Sequence, residues 1–479
     1  MRDFKNFIAV FLLSATGMTY SYGQLRTPKI ISSDMVLQQN MNVPIWGHAT
    51  PGERITVTFN GQKICTKTAK DSTWSIKLKP MRADATPKTM RIKGKKENLT
   101  YTNIVVGEVW IASGQSNMEY SMRRHKAFVA PKKGKDLAIE EMAKPANNMI
   151  RVYVSSAKKQ RTWAEASGES LPNVSAVGYY FIKSLQDSLK VPVGIITAAL
   201  GGTRIETWTP EEEYFNSPDF SEEIKKKGRI DGSGAGERYR IFISPLIPFA
   251  VRGCLWYQGE NNCGIGDERY AAKYKLMVDR WRKDFMNSEM PFYSVLLAPH
   301  IYSNRLHRNG TPQTAESLPL FREEQKKATS IIPHTEYVSI TDLVDDINDI
   351  HPSYKWTVGQ RLADVALAKT YGHKNIEYSG PRAEKAVREG NKLIVSFSHT
   401  TGGLTTNDNM RLRWFEVAGK NGVYHPAVAD IDSNSSVKVY SKFVPNPKYV
   451  RMGWHETAEP NLTNGKGLPV VPFATIAAE

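Results

Sequence analysis

The chain has 479 residues, of which 41% are hydrophobic and 23% charged, a balance that excludes an intrinsically disordered protein. Its 64 lysines and arginines against 48 acidic residues give a net charge of +16, but the basic residues are spread along the chain, which argues against nucleic acid as a partner. The three cysteines, Cys65, Cys254 and Cys263, form neither a disulfide framework nor a zinc-ligand pattern. We expect no metal and no cofactor, and a buried free thiol at Cys254, which lies in an apolar run.

Residues 1–23 are typical of a secretory signal peptide. Arg2 and Lys5 precede a short apolar core at 7–13, and Ser21-Tyr22-Gly23 supplies the small residues that signal peptidase needs. The apolar core is shorter than the ~18 residues of a membrane helix, and no later stretch of the sequence reaches that length. The sequence therefore predicts an exported protein, periplasmic or extracellular, without a membrane span.

Residues 24–105 are predicted to form an N-terminal β-sandwich-like domain. The runs 43–47, 55–59 and 74–78 are rich in β-forming residues, and the last two alternate apolar and polar positions. Asn60-Gly61 follows the second run and is the residue pair that a tight hairpin turn favours.

Residues 106–379 alternate strand-like and helical patterns, which predicts an α/β domain with a parallel sheet covered on both faces. The predicted strands are 108–112, 150–154, 193–198, 251–257, 292–297 and 337–341, and helical periodicity is clearest at 270–285 and 358–365. Ligands of such sheets bind at the carboxyl ends of the strands.

Residues 380–479 return to a β pattern and form the predicted C-terminal β segment. Strands are expected at 393–397, 410–415, 437–439 and 449–454, and an irregular segment at 460–473, which is rich in Gly and Pro. The sequence does not decide whether the two β segments form one domain or two.

A candidate nucleophile follows the first strand of the α/β domain, in Ser113-Gly114-Gln115-Ser116-Asn117-Met118. Gly114 permits a tight turn that exposes the Ser116 hydroxyl at the ligand-binding edge, although a polar turn or a helix cap would have the same composition. Met118 stands where a G-x-S-x-G elbow has its final glycine, and the serine follows the first strand of its domain. Both features argue against an α/β-hydrolase.

A candidate general base follows the last core strand, in Asn348-Asp349-Ile350-His351-Pro352. Pro352 suits the first position of a helix, so His351 is predicted at the same edge of the sheet as Ser116. A histidine with a carboxylate two residues earlier can accept a proton while its neighbour orients the ring.

Two more loops end core strands at this edge. Gly201-Gly202-Thr203 offers free backbone N–H groups, and Gln258-Gly259-Glu260-Asn261-Asn262 offers amide side chains. Acyl transfer needs such donors for the oxyanion, although each loop alone would also fit a plain turn.

Gly-Gln-Ser-Asn-Met at 114–118, Trp-Tyr-Gln-Gly-Glu at 256–260 and Asp-Ile-His-Pro at 349–352 occur in this order. Together they resemble the sialate O-acetylesterase-type carbohydrate esterases of the SGNH hydrolases. Residues 35–38 and 461–473 are similar to the same family, so the resemblance covers nearly the whole mature chain.

The resemblance implies a flavodoxin-like core and a metal-free hydrolysis of acetyl esters. Ser116 would be the nucleophile and His351 the general base. The oxyanion donors would be the backbone N–H groups of Ser116 and Gly202 and an amide from Gln258 or Asn261.

The chain departs from the family at the acidic residue. SGNH enzymes generally place it three residues before the histidine, where this chain has the neutral Asn348. Asp349, two residues before His351, is the predicted acid. Asp345, Asp346 and a Ser–His dyad are the alternatives.

The sequence thus predicts an exported esterase that removes O-acetyl groups from sugars, with sialic acid as the first substrate and an acetylated plant polysaccharide, xylan or xyloglucan, as the second. An inactive carbohydrate-binding protein and a lipase are the other classes considered. Arg204, facing the carboxylate of a sialic acid, and Glu260 are the predicted substrate contacts. The oligomeric state does not follow from the sequence.

Overall fold

The computed structural model of the protein describes residues 24–123, 131–156 and 162–479, so the predicted signal peptide lies outside the described residues. The N-terminal group of elements consists of β1 (Val36–Gln38), β2 (Val43–His48), β3 (Arg54–Phe59), β4 (Gln62–Lys67), β5 (Thr73–Leu78) and β6 (Asp84–Lys93). The middle group consists of β7 (Asn98–Gly114), α1 (Ser116–Glu119), α2 (Leu137–Ala143), β8 (Asn147–Val154), β9 (Ala164–Ala166), α3 (Ala176–Leu189), β10 (Val193–Ala199), α4 (Glu211–Asn216), α5 (Ser221–Lys227), β11 (Gly253–Tyr257), α6 (Glu260–Cys263), α7 (Tyr270–Asp284), β12 (Phe292–Val295), α8 (Ser317–Ile331), β13 (Thr335–Val338) and α9 (Lys355–Lys369). The C-terminal group consists of β14 (Arg382–Glu389), β15 (Lys392–Ser398), β16 (Leu404–Thr406), β17 (Phe415–Ala418), β18 (Tyr424–Pro426), β19 (Val428–Ser433), β20 (Ser436–Tyr440), β21 (Tyr449–Met452), β22 (Leu462–Asn464) and β23 (Phe473–Ala477).

The core of the middle group is a parallel sheet in the order β13-β12-β11-β7-β10-β8, with β9 antiparallel at the edge beside β8. Alternate side chains of β7 point to opposite faces, so Trp110 packs with α3 and α9 on one face while Ile111 packs with α7 and α8 on the other. The predicted parallel sheet with helices on both faces is confirmed. No helix of the described residues is long and apolar enough to cross a membrane.

The register of the sheet brings three of the predicted site loops to one point. Gly114, at the end of β7, pairs with Ala199 at the end of β10 and with Tyr257 at the end of β11. The segments that follow these residues therefore leave the sheet side by side at its carboxyl edge, as the sequence predicted.

The N-terminal group is joined to the core through β7 itself. The first part of this 17-residue strand pairs with β6 and β1, and its last part pairs with β10 and β11. The strand thus runs across position 105/106, where the sequence placed a domain boundary. The predicted hairpin turn joins β3 to β4, with φ of 46° at Asn60 and 74° at Gly61.

The C-terminal group forms two four-stranded antiparallel sheets, β14-β15-β20-β19 and β18-β17-β21-β23, and a pair β16-β22. The strand predicted at 410–415 is wrong, because β17 begins only at Phe415. The Asn461 side chain donates to the carbonyls of Met410 and Arg411 at 3.4 and 3.0 Å and satisfies the backbone there. The segment 460–473 is less irregular than predicted, because β22 lies within it and pairs with β16.

The three cysteines are free thiols in different environments. Cys254 and Cys263 are buried, and burial raises the pKa of both thiols, whereas Cys65 is exposed. The buried thiol predicted at Cys254 is confirmed.

Candidate active site

The turn between β7 and α1 presents Ser116 at the carboxyl edge of the sheet. Gly114 has a φ of +139°, and a Cβ atom at this position would lie 2.1 Å from the carbonyl oxygen of Tyr257, so only glycine fits there. The next residue, Gln115, is buried and its side-chain oxygen accepts a hydrogen bond from Gln258 at 3.0 Å. The Gln115 N–H donates to the carbonyl of Tyr257 at 3.0 Å, so the end of β11 and the loop after it both hold the residue before Ser116.

His351 meets Ser116 across 235 positions of sequence. Its Nε2 atom lies 2.9 Å from the Ser116 Oγ atom, within hydrogen-bond distance. The helix predicted to begin at Pro352 begins three residues later, as α9, because Lys355 first closes a turn with the carbonyl of Ser353 at 2.7 Å. His351 lies in the loop that leads into this helix, where the sequence placed it.

Asp349 is the carboxylate that lies beside the other nitrogen of the ring. Its Oδ1 atom accepts the backbone N–H of His351 at 2.8 Å and lies 3.5 Å from His351 Nδ1, an ion-pair distance when the ring is protonated. The Asn348 side chain does not contact the ring in this way; its amide donates a hydrogen bond to the Asp346 carboxylate at 3.1 Å. Asp345 accepts the Tyr354 hydroxyl at 2.8 Å, so both alternative carboxylates have other partners.

The glycine loop after β10 lies directly against Ser116. The Gly201 N–H donates to Glu119 at 2.7 Å, and a Cβ atom at Gly201 would come within 3.3 Å of the Ser116 Cβ. Gly202 has a φ of +73°, and its N–H meets no acceptor among the described residues. It is thus a backbone donor next to the serine whose hydrogen-bonding capacity is left for a ligand.

Gly202 and Asn261 line one cleft of about 410 Å³, which we call the Gly202 cleft. Three arginines line it as well, Arg204, Arg238 and Arg305. An amide, a glycine N–H and guanidinium groups therefore surround the same space.

Gln258, one of two alternative oxyanion donors in the prediction, lies in the interior instead. It is fully buried, its Nε2 atom donates to Asn262 at 2.8 Å and to Gln115 at 3.0 Å, and its Oε1 atom accepts the Tyr270 hydroxyl at 2.9 Å. Its amide thus joins the loops to one another, and Asn261 is the amide that borders the cleft.

The two predicted substrate contacts have different positions. Glu260 is only 2% exposed and accepts a hydrogen bond from Asn117, so it faces the interior and not the cleft; burial raises the pKa of its carboxyl. Arg204 does line the cleft, but its guanidinium donates to the carbonyl of Asp231 at 2.8 Å and lies 3.7 Å from Glu206.

Arg305 was missed by the sequence reasoning, because its loop carries no motif and follows no recognised pattern. Its side chain reaches back over Gly264, just after α6, and its guanidinium carbon lies 5.1 Å from the centre of the Tyr302 ring. Among the residues that the structure describes, no carboxylate lies within ion-pair distance of its guanidinium. Arg305 thus places in the cleft a positive charge that these residues do not neutralise.

One group of carboxylates in the described part of the chain is close enough to hold a metal ion: Glu206, Asp231 and Asp267. The buried Lys273 ammonium lies among them, 2.8, 2.5 and 2.7 Å from the three carboxylates. A protein cation therefore fills the position that a metal would take. Asp267 also accepts the Asn262 amide at 2.8 Å, which anchors the loop that carries Asn261.

Dialysis against EDTA is therefore expected to leave unchanged the ester hydrolysis that the sequence predicts. A serine–histidine pair needs no metal, and among the described residues the one carboxylate group with metal-like spacing already holds the Lys273 ammonium between its members. The measurement is the rate before and after dialysis. A loss of rate that added Zn²⁺ restores would contradict this expectation.

Known proteins are similar to this chain over most of its length. Residues 106–368 match the family described as carbohydrate esterase, sialic acid-specific acetylesterase. Sialate O-acetylesterases from Homo sapiens and Pongo abelii are each 26% identical over 419 residues, which is 78% of this chain and 76% of each relative. The crystal structure of a carbohydrate acetylesterase from Xanthomonas citri superposes with a TM-score of 0.80 at 30% identity and covers 94% of this chain and 98% of that one.

Proposed function

Because the chain belongs to the sialic acid-specific acetylesterase family of carbohydrate esterases and is a carboxylic ester hydrolase, we propose that it removes O-acetyl groups from sialic acid. The observation that carries the proposal is the 2.9 Å contact between Ser116 Oγ and His351 Nε2. Gly201 lies against Ser116, and the next residue, Gly202, lines the cleft together with the arginines. The two atoms are positioned for proton transfer from the hydroxyl to the ring.

In the first half of the reaction, Ser116 Oγ attacks the acetyl carbonyl while its proton passes to His351 Nε2. Asp349, beside Nδ1, stabilises the imidazolium that forms. The N–H groups of Ser116 and Gly202 and the amide of Asn261 donate to the oxyanion. Collapse of the tetrahedral intermediate breaks the bond to the sugar oxygen, which takes the proton from His351 and leaves as the free hydroxyl.

In the second half, a water molecule attacks the acetyl–Ser116 ester. His351 accepts the proton of the water, and the same donors stabilise the second oxyanion. The intermediate collapses, Ser116 Oγ takes the proton from His351, and acetic acid leaves and gives its proton to the solvent, so water is the one co-substrate that the cycle consumes.

The charge of the cleft favours sialic acid over the neutral acetylated xylan or xyloglucan. A sialic acid carries a carboxylate, and a guanidinium recognises a carboxylate through two parallel hydrogen bonds. Arg305 is the arginine best placed for this role, because Arg204 already donates to a backbone carbonyl and Arg238 lies 3.1 Å from Glu237.

Four substrates test the proposal. Purified protein is assayed on 4-nitrophenyl acetate, on a long-chain 4-nitrophenyl ester, on O-acetylated sialic acid and on acetylated xylan. Hydrolysis of the acetate ester and a higher kcat/KM for the sialic acid than for xylan are expected. Preference for xylan would favour a plant polysaccharide as substrate, preference for the long chain a lipase, and no hydrolysis at all a carbohydrate-binding protein.

Replacing Arg305 with methionine is expected to lower kcat/KM for O-acetylated sialic acid by about 10-fold or more, the effect of one lost charge-assisted contact. Hydrolysis of 4-nitrophenyl acetate, which lacks a carboxylate, should stay within a few-fold of wild type. Arg308→Met is the matched control, since Arg308 lies on the same loop and pairs with Glu223 at 3.4 Å. An equal loss of kcat/KM on both substrates would show that Arg305 does not bind the carboxylate of the sialic acid.

We also propose that the protein is exported and acts outside the cytoplasm. Its support is the sequence of residues 1–23, with basic, apolar and small-residue regions in the order of an export signal. N-terminal sequencing of protein recovered from the periplasm or the medium should begin near Gln24. Protein that retains residues 1–23 and stays in the cytoplasm would contradict export.

A further inference from the structure

A buried polar network lies behind the Ser116–His351 pair. It consists of Asn117, Glu260 and Lys355, which come from α1, α6 and α9 and are each at most 2% exposed; we call it the Asn117 network. Polar groups are buried at a cost in free energy unless they are hydrogen-bonded, so three of them in contact call for an explanation.

The Asn117 side chain connects the segments that carry the two reacting groups. Its Nδ2 atom donates to Glu260 and, at 3.0 Å, to the carbonyl oxygen of Ile350. Asn117 follows Ser116 in the chain, and Ile350 precedes His351. This one amide therefore links the immediate neighbour of the proposed nucleophile to the immediate neighbour of the proposed base.

Lys355 determines which way this amide faces. Its Nζ atom donates to Asn117 Oδ1 at 2.6 Å, and in its protonated form it has no lone pair that could accept a hydrogen bond. The amide oxygen must face Lys355, so the NH₂ group must face Ile350. With this donor removed and Glu260 replaced by glutamine, whose side chain can also donate, the amide can rotate and lose its bond to the Ile350 carbonyl.

Two aromatic rings hold Lys355 in place. Its Nζ atom lies 5.0 Å from the ring centres of Tyr120 and of Tyr257, and both rings are buried. Burial lowers the pKa of Lys355 to about 7, while the charge of Glu260 opposes that shift. The packing of Lys355 between these two rings thus holds its Nζ atom close to Asn117.

We infer that Lys355 is a positioning residue for ester hydrolysis, which orients the Asn117 amide and through the Ile350 carbonyl fixes His351 against Ser116. The inference rests on the proposed function, because it assigns these two side chains as the reacting groups. A displacement of about 1 Å between reacting groups is enough to cost about 10²-fold in rate.

The simpler alternative is that Lys355 only balances the charge of Glu260. The double variant Lys355→Met/Glu260→Gln separates the two, since it removes both charges together and leaves no uncompensated carboxylate. If Lys355 only balances charge, the single variant Lys355→Met loses Tm and kcat, and the double variant has the Tm and the kcat of wild type. If Lys355 positions Asn117, the double variant has the Tm and the KM of wild type, but its kcat for 4-nitrophenyl acetate is about 10- to 10²-fold lower than that of wild type.

A second double variant, Lys355→Gln/Glu260→Gln, tests the hydrogen bond itself. It has the same charge as the methionine variant but keeps an N–H donor for Asn117, so it should recover part of the lost kcat. Lys326→Met is the control for loss of a lysine, because Lys326, on α8, donates to the carbonyl of Pro472 and contacts neither the Ser116–His351 pair nor the Asn117 network. Its kcat should equal that of wild type.

Wild-type protein is assayed alongside the variants on 4-nitrophenyl acetate. If wild type hydrolyses the ester and both double variants keep its kcat, the positioning role is overturned while the proposed function stands. Equal kcat values in the two double variants, both below wild type, would also overturn it, because the Asn117 hydrogen bond would then not be the cause. Absence of hydrolysis by wild type would overturn the proposed function itself.

Discussion

Replacing Ser116 with alanine is expected to lower kcat for 4-nitrophenyl acetate and for O-acetylated sialic acid by about 10³-fold or more. Without the Oγ atom no acetyl–enzyme forms, and only the oxyanion donors and substrate binding remain. The side chain is partly exposed at the edge of the sheet, so the fold should be unaffected. The measurements are the kcat of each variant, its circular dichroism and its Tm.

Ser113→Ala is the matched control for this variant. Ser113 lies three residues earlier on β7, and its hydroxyl donates to the carbonyl of Ala198 at 2.7 Å in the interior. Its loss is expected to lower the Tm slightly and to leave kcat within a few-fold of wild type. A folded Ser116→Ala protein with the turnover of wild type would refute Ser116 as the nucleophile.

Asp349→Asn is expected to lower kcat by about 10²-fold or more, whereas Asn348→Ala should stay within a few-fold of wild type. His351 becomes a cation when it takes the Ser116 proton, and a carboxylate beside Nδ1 stabilises that cation where an amide only orients the ring. The ring also lies in the loop leading into α9, near the positive end of that helix, which makes a compensating negative charge more important.

The pH dependence of the two variants separates charge from orientation. When the carboxylate is lost, the ring gives up its proton more readily, so the acid limb of the pH–rate profile of Asp349→Asn should move to lower pH. Asn348→Ala should keep the wild-type profile, because the Asn348 amide contacts Asp346 and not the ring. A nearly silent Asp349→Asn would point to a Ser–His dyad or to another acid, and Asp345→Asn and Asp346→Asn would be the next variants.

The sequence by itself determined the class of fold and the two residues proposed for proton transfer. Strand and helix periods are local patterns, and a parallel sheet has its ligand edge at the carboxyl ends of its strands. Gly114-Gln115-Ser116 and Asp349-Ile350-His351 each follow a predicted core strand. Their meeting at one edge thus followed from the order of elements, before any distance was known.

The tertiary structure alone decided which side chains face the cleft. Gln258 and Asn261 are both amides in one loop, but Gln258 bonds inward to Gln115, a partner 143 positions away, and this leaves Asn261 beside the cleft. Glu260 is buried for a similar reason, through Asn117. Local patterns do not encode the direction in which a loop side chain points, because that direction depends on partners from distant elements.

The same holds for the residues that sequence reasoning missed. Lys355 opens an ordinary helix, and only the packing of α9 against the turn after β7 places its ammonium on Asn117. Arg305 belongs to a loop without a motif and reaches the cleft by folding back over Gly264. Long-range hydrogen bonding and packing selected these two side chains from the 64 lysines and arginines of the chain, whose composition and spacing do not distinguish them.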